Sequence, residues 1–251
     1  MTTARSGRLV ILSGPSCVGK SPLVKALGKF YPHLRNTLQP LVLYNSRAPR
    51  PGEADGVDYH FRTRQHVETL TAEKRFIVED VRGDLQALDI GQLSTLLEHG
   101  DAFFEGNPFV GRALQTHPRL SHVEKLSVFL SPLSLEEMLF LRAPDRNISL
   151  PDLVTDIMRR KLLRRTRRQK GDLSLHDLEN IERRAASAYR ELQEAHHFEY
   201  VIPNHDGEDS ENWEAFYYPL GEARDTLLAF VSVLEGRVSS GVEHWDEDVT
   251  P

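Results

Sequence analysis

Eight residues near the start of the chain have the types and spacing of an anion cradle. Gly14-Pro15-Ser16-Cys17-Val18-Gly19-Lys20-Ser21 satisfies G-x-x-x-x-G-K-[ST] at every fixed position. Glycines let the backbone curl until successive N–H groups point at one anion. A helix that starts there adds the positive end of its dipole. In this layout Lys20 reaches the β- and γ-phosphates of a nucleotide such as ATP, and the Ser21 hydroxyl is a ligand for Mg2+. The bland alternative is a glycine turn before a helix with an incidental Lys-Ser pair. Cys17 is either a thiol whose ionisation the same positive field favours or a small spacer. Pro22 falls in the first helical turn, where a missing N–H is tolerated.

A second segment carries Arg47, Arg50, Glu53 and Tyr59 on a loop stiffened by Pro49 and Pro51. Two arginines three apart can grip one phosphate from two sides through forked, charge-assisted bonds. Glu53 either anchors the loop or meets a base or ribose, and Tyr59 offers a hydroxyl. The competing reading is a solvated surface loop. A third segment, residues 159–170, is densely basic. It suits the neutralisation of triphosphate charge, a solvated helix face, or a nucleic-acid or lipid surface. Nucleic acid is the least favoured of these partners. His196-His197 and His205-Asp206 lack zinc-ligand spacing with cysteine partners.

The elements that must hold these groups read as alternating strands and helices. Residues 8–13 are an apolar run ending in Gly14-Pro15, the pattern of a buried parallel strand. A helix is predicted over 19–30, then a short strand over 41–44 and a Pro/Gly loop over 47–56. Residues 67–70, 76–81 and 103–104 give weaker signals. Residues 126–130 form another apolar run, and Ser134 with Glu137 makes a capping box for a helix to about 142. Residues 150–194 read as helical with an interruption at Lys170-Gly171, 200–202 as the last strand, and 220–234 as a final helix. The tail, 236–251, is polar and acidic and is expected to be disordered. The pattern predicts an α/β fold: a three-layer α/β/α arrangement around a parallel central sheet.

Composition bounds the function classes. The chain has 251 residues, 39% apolar and 27% charged, with a formal net charge of -6. That charge gives no global attraction to nucleic acid or anionic membrane. The single cysteine excludes an intramolecular disulfide and fits a reducing cytoplasm. The first residues lack the apolar run of a signal peptide, and no stretch approaches the ~20 apolar residues of a membrane span. A cytoplasmic, soluble protein is expected. Nothing in the sequence specifies an oligomeric state.

Taken together, the two motifs resemble the guanylate kinase family of P-loop nucleoside monophosphate kinases. Residues 13–21 match the family's S-G-P-S-G-x-G-K-S apart from Cys17, where the family has Gly. Residues 47–61 match R-x-x-R-P-G-E-x-x-G-x-x-Y-x-F. The likeness continues through residues 129–137, Ile181-Glu182-Arg183-Arg184 and residues 200–204. It implies a core of 7–46, 89–142 and 187–235, an acceptor-binding lobe of 47–88 and a helical lid of 143–186. It implies ATP and Mg2+ as cofactors and nucleotide substrates as partners. By carry-over Arg47 and Arg50 bind the acceptor phosphate with Tyr59 beside them, while Arg184 and one of Arg167 or Arg168, with Arg168 in the leading reading, meet the transferring phosphoryl group beside Lys20.

The family pattern also breaks at identifiable places. Its serine and threonines before the arginine loop align with Leu43, Asn45 and Ser46, and its F-[IL]-E acid aligns with Val78, with Glu79 next. Its tyrosine pair falls in Gly83–Ala87, and its D-[IV]-D aligns with residues 106–108, leaving Glu105 as the nearest carboxylate. These positions concern base reading more than phosphate binding. They keep two rivals to a GMP-like acceptor open: a binding module without turnover, and a kinase for a phosphorylated sugar.

Overall fold

A computed structural model describes residues 7–50, 52–237, 240–248 and 250. The chain begins with β1 (Leu9–Ser13), α1 (Lys20–Phe30), α2 (Pro32–Arg35), β2 (Leu38–Pro40), β3 (Tyr44–Asn45) and β4 (His60–Phe61). It continues with α3 (Arg64–Leu70), β5 (Phe76–Val81), β6 (Asp84–Asp89), α4 (Ile90–His99), β7 (Asp101–Gly106) and α5 (Pro108–Thr116). The remaining elements are β8 (Lys125–Ser131), α6 (Leu135–Leu141), α7 (Leu150–Lys170), α8 (Leu175–Leu192), β9 (Tyr200–Pro203) and α9 (Gly221–Leu234). The predicted helix at the phosphate loop, the paired helices with their break at Gly171, and the final helix all form. Among the described residues no helix is long and apolar enough to cross a membrane.

The central sheet is parallel, in the order β2-β7-β1-β8-β9. Every residue of β1 is buried, as a strand covered on both faces requires. A second sheet has the order β4-β3-β6-β5, with β6 antiparallel to both β3 and β5. The strand expected over 41–44 is instead divided between the two sheets. Leu41 N still donates to Phe103 O at 2.8 Å in the first ladder, whereas Leu43 O accepts from His60 N at 2.8 Å and Tyr44 and Asn45 join the second. The signal at 67–70 is α3, started by Thr63, whose side chain accepts from the His66 N–H.

The chain divides into two compact units. The first comprises residues 7–11, 37–104 and 109–126. It holds the four-stranded sheet, one face of which packs Phe76, Ala87, Tyr44, Val78 and Leu85 with Val67 and Leu70 of α3. The second comprises 12–36, 105–108 and the described residues after 126. It holds the glycine-rich loop, α1 and the helices α6 to α9.

The expectation of a disordered tail does not hold for its described residues, while Val238, Ser239, Val249 and Pro251 lie outside them. Glu243 forms an antiparallel bridge with Val201. Its carboxylate accepts from Leu135 N at 3.0 Å and from Trp245 Nε1 at 2.7 Å. Trp245 is 3% exposed. Acidic composition mispredicts this segment because one aromatic side chain and one strand edge are enough to hold it.

Candidate active site

The glycine-rich loop lies between the end of β1 and the start of α1. Gly19 has φ 108°, and a Cβ there would stand 2.5 Å from Asn204 Nδ2, so only glycine fits. No side chain caps the helix that begins at Lys20, which leaves its first N–H groups for an anion. Asn204, at the end of β9, fixes the loop by donating to Val18 O at 2.7 Å. Lys20 is buried and its Nζ donates to Gly14 O at 2.7 Å and Pro15 O at 2.8 Å. Ser21 is exposed and donates its hydroxyl to Glu105 Oε1 at 2.8 Å.

Two ionisable groups here are displaced from their ordinary values. Burial pushes the Cys17 thiol up to about 12, with the Glu208 charge adding to it and Arg165 opposing. Cys17 is therefore a neutral thiol, and the spacer reading is the one the structure favours. Its φ of 70° lies in the left-handed region, which accounts physically for glycine at this place in the related pattern. Burial also raises Glu105, outweighing the attraction of Lys20 and the Ser21 hydrogen bond. Ser21 and Glu105 together offer adjacent oxygen donors. Among the described residues no cluster of three or more His, Cys, Asp or Glu side chains forms a metal cage. That donor set fits Mg2+, which keeps waters and substrate phosphates as most of its ligands.

Helices α7 and α8 supply cations to this unit. Arg184 of α8 is buried, and its Nε donates to Ser16 Oγ in the loop at 3.0 Å. Arg168 of α7 is placed elsewhere: it is exposed and donates to Asp209 O at 2.8 Å. A further α7 arginine that the sequence does not single out is Arg165, whose Nη1 donates to Glu208 Oε2 at 2.7 Å. That pair spans forty-three residues of sequence, and no local pattern announces it. The segment 206–219 is ordered by Asp206, which accepts from Ser210 Oγ at 2.7 Å, Asn212 Nδ2 at 2.9 Å and Ala223 N at 3.0 Å.

The arginine loop belongs to the other unit. Glu53 is its anchor: both Arg47 nitrogens reach the carboxylate at 2.6 Å, and Arg50 N donates to it at 2.7 Å. Burial would raise Glu53, but the Arg47 hydrogen bond and the Arg50 backbone bond together hold it below the usual carboxylate range. The Arg47 guanidinium also lies 5.2 Å from the Tyr59 ring and 5.3 Å from the Phe61 ring. The Arg50 side chain is 42% exposed. The solvated-loop reading thus describes residues 48–50, 52 and 54–58, while Arg47, Glu53 and Tyr59 are partly buried.

The opposite face of the four-stranded sheet carries a polar row that the sequence did not reveal. Asn45 is paired in register with Gln86, and Gln86 with Glu79, so the three side chains share one face. Asn45 and Gln86 are buried, and Asn45 Nδ2 and Gln86 Oε1 make no hydrogen bond within the protein. Burial raises the Glu79 carboxyl above its ordinary value, with Arg112 opposing. The signal was present as alternation: Asn45 follows Tyr44, and Gln86 stands between Leu85 and Ala87.

Comparison with known proteins agrees with this architecture. The family profile described as guanylate kinase matches residues 6–84. A guanylate kinase of a Synechococcus species is 32% identical over 219 residues, covering 86% of this chain and 84% of its own length. One from Thiobacillus denitrificans is 30% identical over 205 residues, covering 81% of each. The crystal structure of guanylate kinase from Anaplasma phagocytophilum superposes with a TM-score of 0.53 at 18% identity, over 93% of this chain and 87% of that one. With the phosphate loop and the sheet order in place, the extent of these matches means that this chain belongs to the guanylate kinase family.

Proposed function

We propose that the chain is an ATP-dependent nucleoside monophosphate kinase that uses GMP as its acceptor. The observation that carries this reading is the intact phosphate loop, with Lys20 buried at the head of α1 and Ser21 open beside Glu105. On binding ATP, Lys20 exchanges the carbonyls of its own loop for the β- and γ-phosphates. Ser21, with Glu105 behind it, would hold Mg2+, which when bound would neutralise charge on the phosphates. Arg184 adds positive charge from α8. Residues 143–186 are assigned to a lid, and residues 47–88 to acceptor binding.

In the acceptor-binding segment Arg50 and Arg47 take the acceptor phosphate, and Glu53 and Tyr59 keep Arg47 in place. Arg168, with its guanidinium on a backbone carbonyl of the 206–219 segment, has no part in this reading. The acceptor phosphate oxygen is already ionised and is itself the nucleophile, so no strong general base is required. Transfer rests on position and electrostatics.

The polar row supports guanine as the base. Its edge presents one acceptor, O6, and donors at N1 and N2. Asn45 Nδ2 is a buried donor, and Gln86 Oε1 and Glu79 are acceptors. Adenine reverses the order at its amino group and would leave buried polar atoms unpaired, which discriminates strongly. The row therefore replaces the lost family positions with a different set of residues on one face. The intact phosphate loop counts against a binding module without turnover.

A coupled assay of ADP release over GMP, dGMP, AMP, CMP, UMP and sugar phosphates tests the assignment. GMP is expected to give the highest kcat/KM, and Lys20→Ala is expected to lower it by about 10²–10³-fold, the size of losing one preorganised electrostatic group. No ADP release above the Lys20→Ala background with any acceptor defeats the reading.

A further inference from the structure

The segment 206–219 has no part in the reaction described above, yet it lies against the phosphate loop. A Cβ on Gly207 would stand 2.2 Å from Cys17 O, so the approach depends on glycine. One residue on, Glu208 accepts from Arg165 Nη1 at 2.7 Å, with the side chains 15% and 16% exposed. Arg165 Nε is also buried and has no hydrogen-bond partner within the protein, so the guanidinium has donor capacity that Glu208 does not use. Burial opposes ionisation of Glu208, but the charges of Arg165, Lys20 and Arg184 together hold its carboxyl below the ordinary value. Next to it, Asp209 is 8% exposed and lies 3.8 Å from Lys161 Nζ and 3.4 Å from Arg164 Nη1. A buried anion therefore faces the lysine of the phosphate loop and two helix arginines in the unit that carries the loop.

We propose that Arg165 is a phosphate-binding residue of the nucleotide site, and that Glu208 occupies it until a nucleotide phosphate displaces the carboxylate. This rests on the reading of the phosphate loop as an ATP site. A carboxylate and a phosphate cannot both stand against the same cations without strong like-charge repulsion. Nucleotide entry thus requires Glu208 to leave Arg165, and the observed affinity is the intrinsic one reduced by the fraction of molecules with Glu208 withdrawn. Arg165 Nε then gains the partner that it lacks. Gly207 is the joint at which the segment lifts, since its own contact with the loop involves backbone only.

Calorimetric titration of the full chain with ATP and Mg2+ tests this. Glu208→Gln keeps the shape and removes the charge, and is expected to bind ATP about tenfold more tightly than the wild type. Adding Arg165→Gln to it is expected to abolish that gain. Inorganic triphosphate should follow the same order, because the competition concerns phosphate and not the base. Hydrogen exchange on the wild type gives a second readout that needs no substitution: amides of 207–210 are expected to exchange faster when ATP is bound, and this measurement decides if Glu208→Gln fails to fold. Equal ATP affinity in the wild type and Glu208→Gln overturns the proposal and leaves the kinase reading standing. So does unchanged or slower exchange of 207–210 on saturation with ATP. Absence of ATP binding in all variants overturns the kinase reading and this proposal with it.

Discussion

Cys17 shows most plainly how a single residue records the geometry of the site. A non-glycine side chain at φ 70° is strained by roughly 1–2 kcal/mol, and Cys17 tolerates this while buried among neighbouring charges. Cys17→Gly removes the strain, whereas Cys17→Ala keeps it and loses the sulfur contacts. Thermal unfolding should therefore place Cys17→Gly above Cys17→Ala by about 1 kcal/mol; the reverse order would mean that the loop is relaxed. Glu105 makes a different point. Its folded pKa lies above its ordinary value because of burial, so its contribution to stability is largest at low pH and is lost as pH rises through the folded pKa. Glu105→Gln is expected to raise the unfolding midpoint at neutral pH and to lower kcat, since the ionised oxygen beside Ser21 is gone. The gain in midpoint should disappear on acidification below the ordinary Glu range. A variant less stable than wild type at neutral pH would contradict the account.

At the scale of elements, α9 depends on a residue outside it. Its N-cap, Leu220, has no capping side chain, and Asp206 supplies the missing acceptor to Ala223 N while holding Ser210 and Asn212. Asp206→Ala is expected to destabilise the protein by about 2 kcal/mol, the upper range for a lost cap. Burial acts to raise the Asp206 carboxyl, but these hydrogen bonds hold it below its ordinary value. Its contribution is present above the unfolded pKa and fades as pH falls through the folded one. Denaturant unfolding at neutral and acid pH checks this, with the difference between variant and wild type shrinking in acid. The sequence shows such arrangements only when they are local. The Ser134–Glu137 box spans four residues, was readable directly, and is present with both bonds formed. The cap from Asp206, the Arg165–Glu208 pair and the Asn45–Gln86–Glu79 row join residues far apart or on separate strands, and only the folded backbone brings them together. The strand expected at 41–44 has a similar origin: Leu41 stays bonded to β7 while Tyr44 pairs with β6, an exchange between sheets that propensity does not register.

For the whole molecule, the order of strands and helices was legible because buried parallel strands are nearly all apolar and the phosphate loop sits at a strand-to-helix junction. Helices α4 and α5 were not anticipated: α4 is capped by Asp89, whose carboxylate accepts from Gly91 N at 2.8 Å, in a stretch to which the sequence reading assigned no element. The acidic tail was misjudged because composition ignores what Trp245 can bury. Both segments proposed to bind phosphate, residues 14–21 and 47–61, stand out in the sequence, while the residues proposed to read the base do not. The central claim is that these segments serve one phosphoryl transfer. Phosphorus NMR of the protein with ATP, GMP and Mg2+ tests it most directly. The account predicts GDP and ADP appearing in equal amounts, with no inorganic phosphate in excess. Loss of ATP to inorganic phosphate without GDP, or an unchanged spectrum, would contradict it.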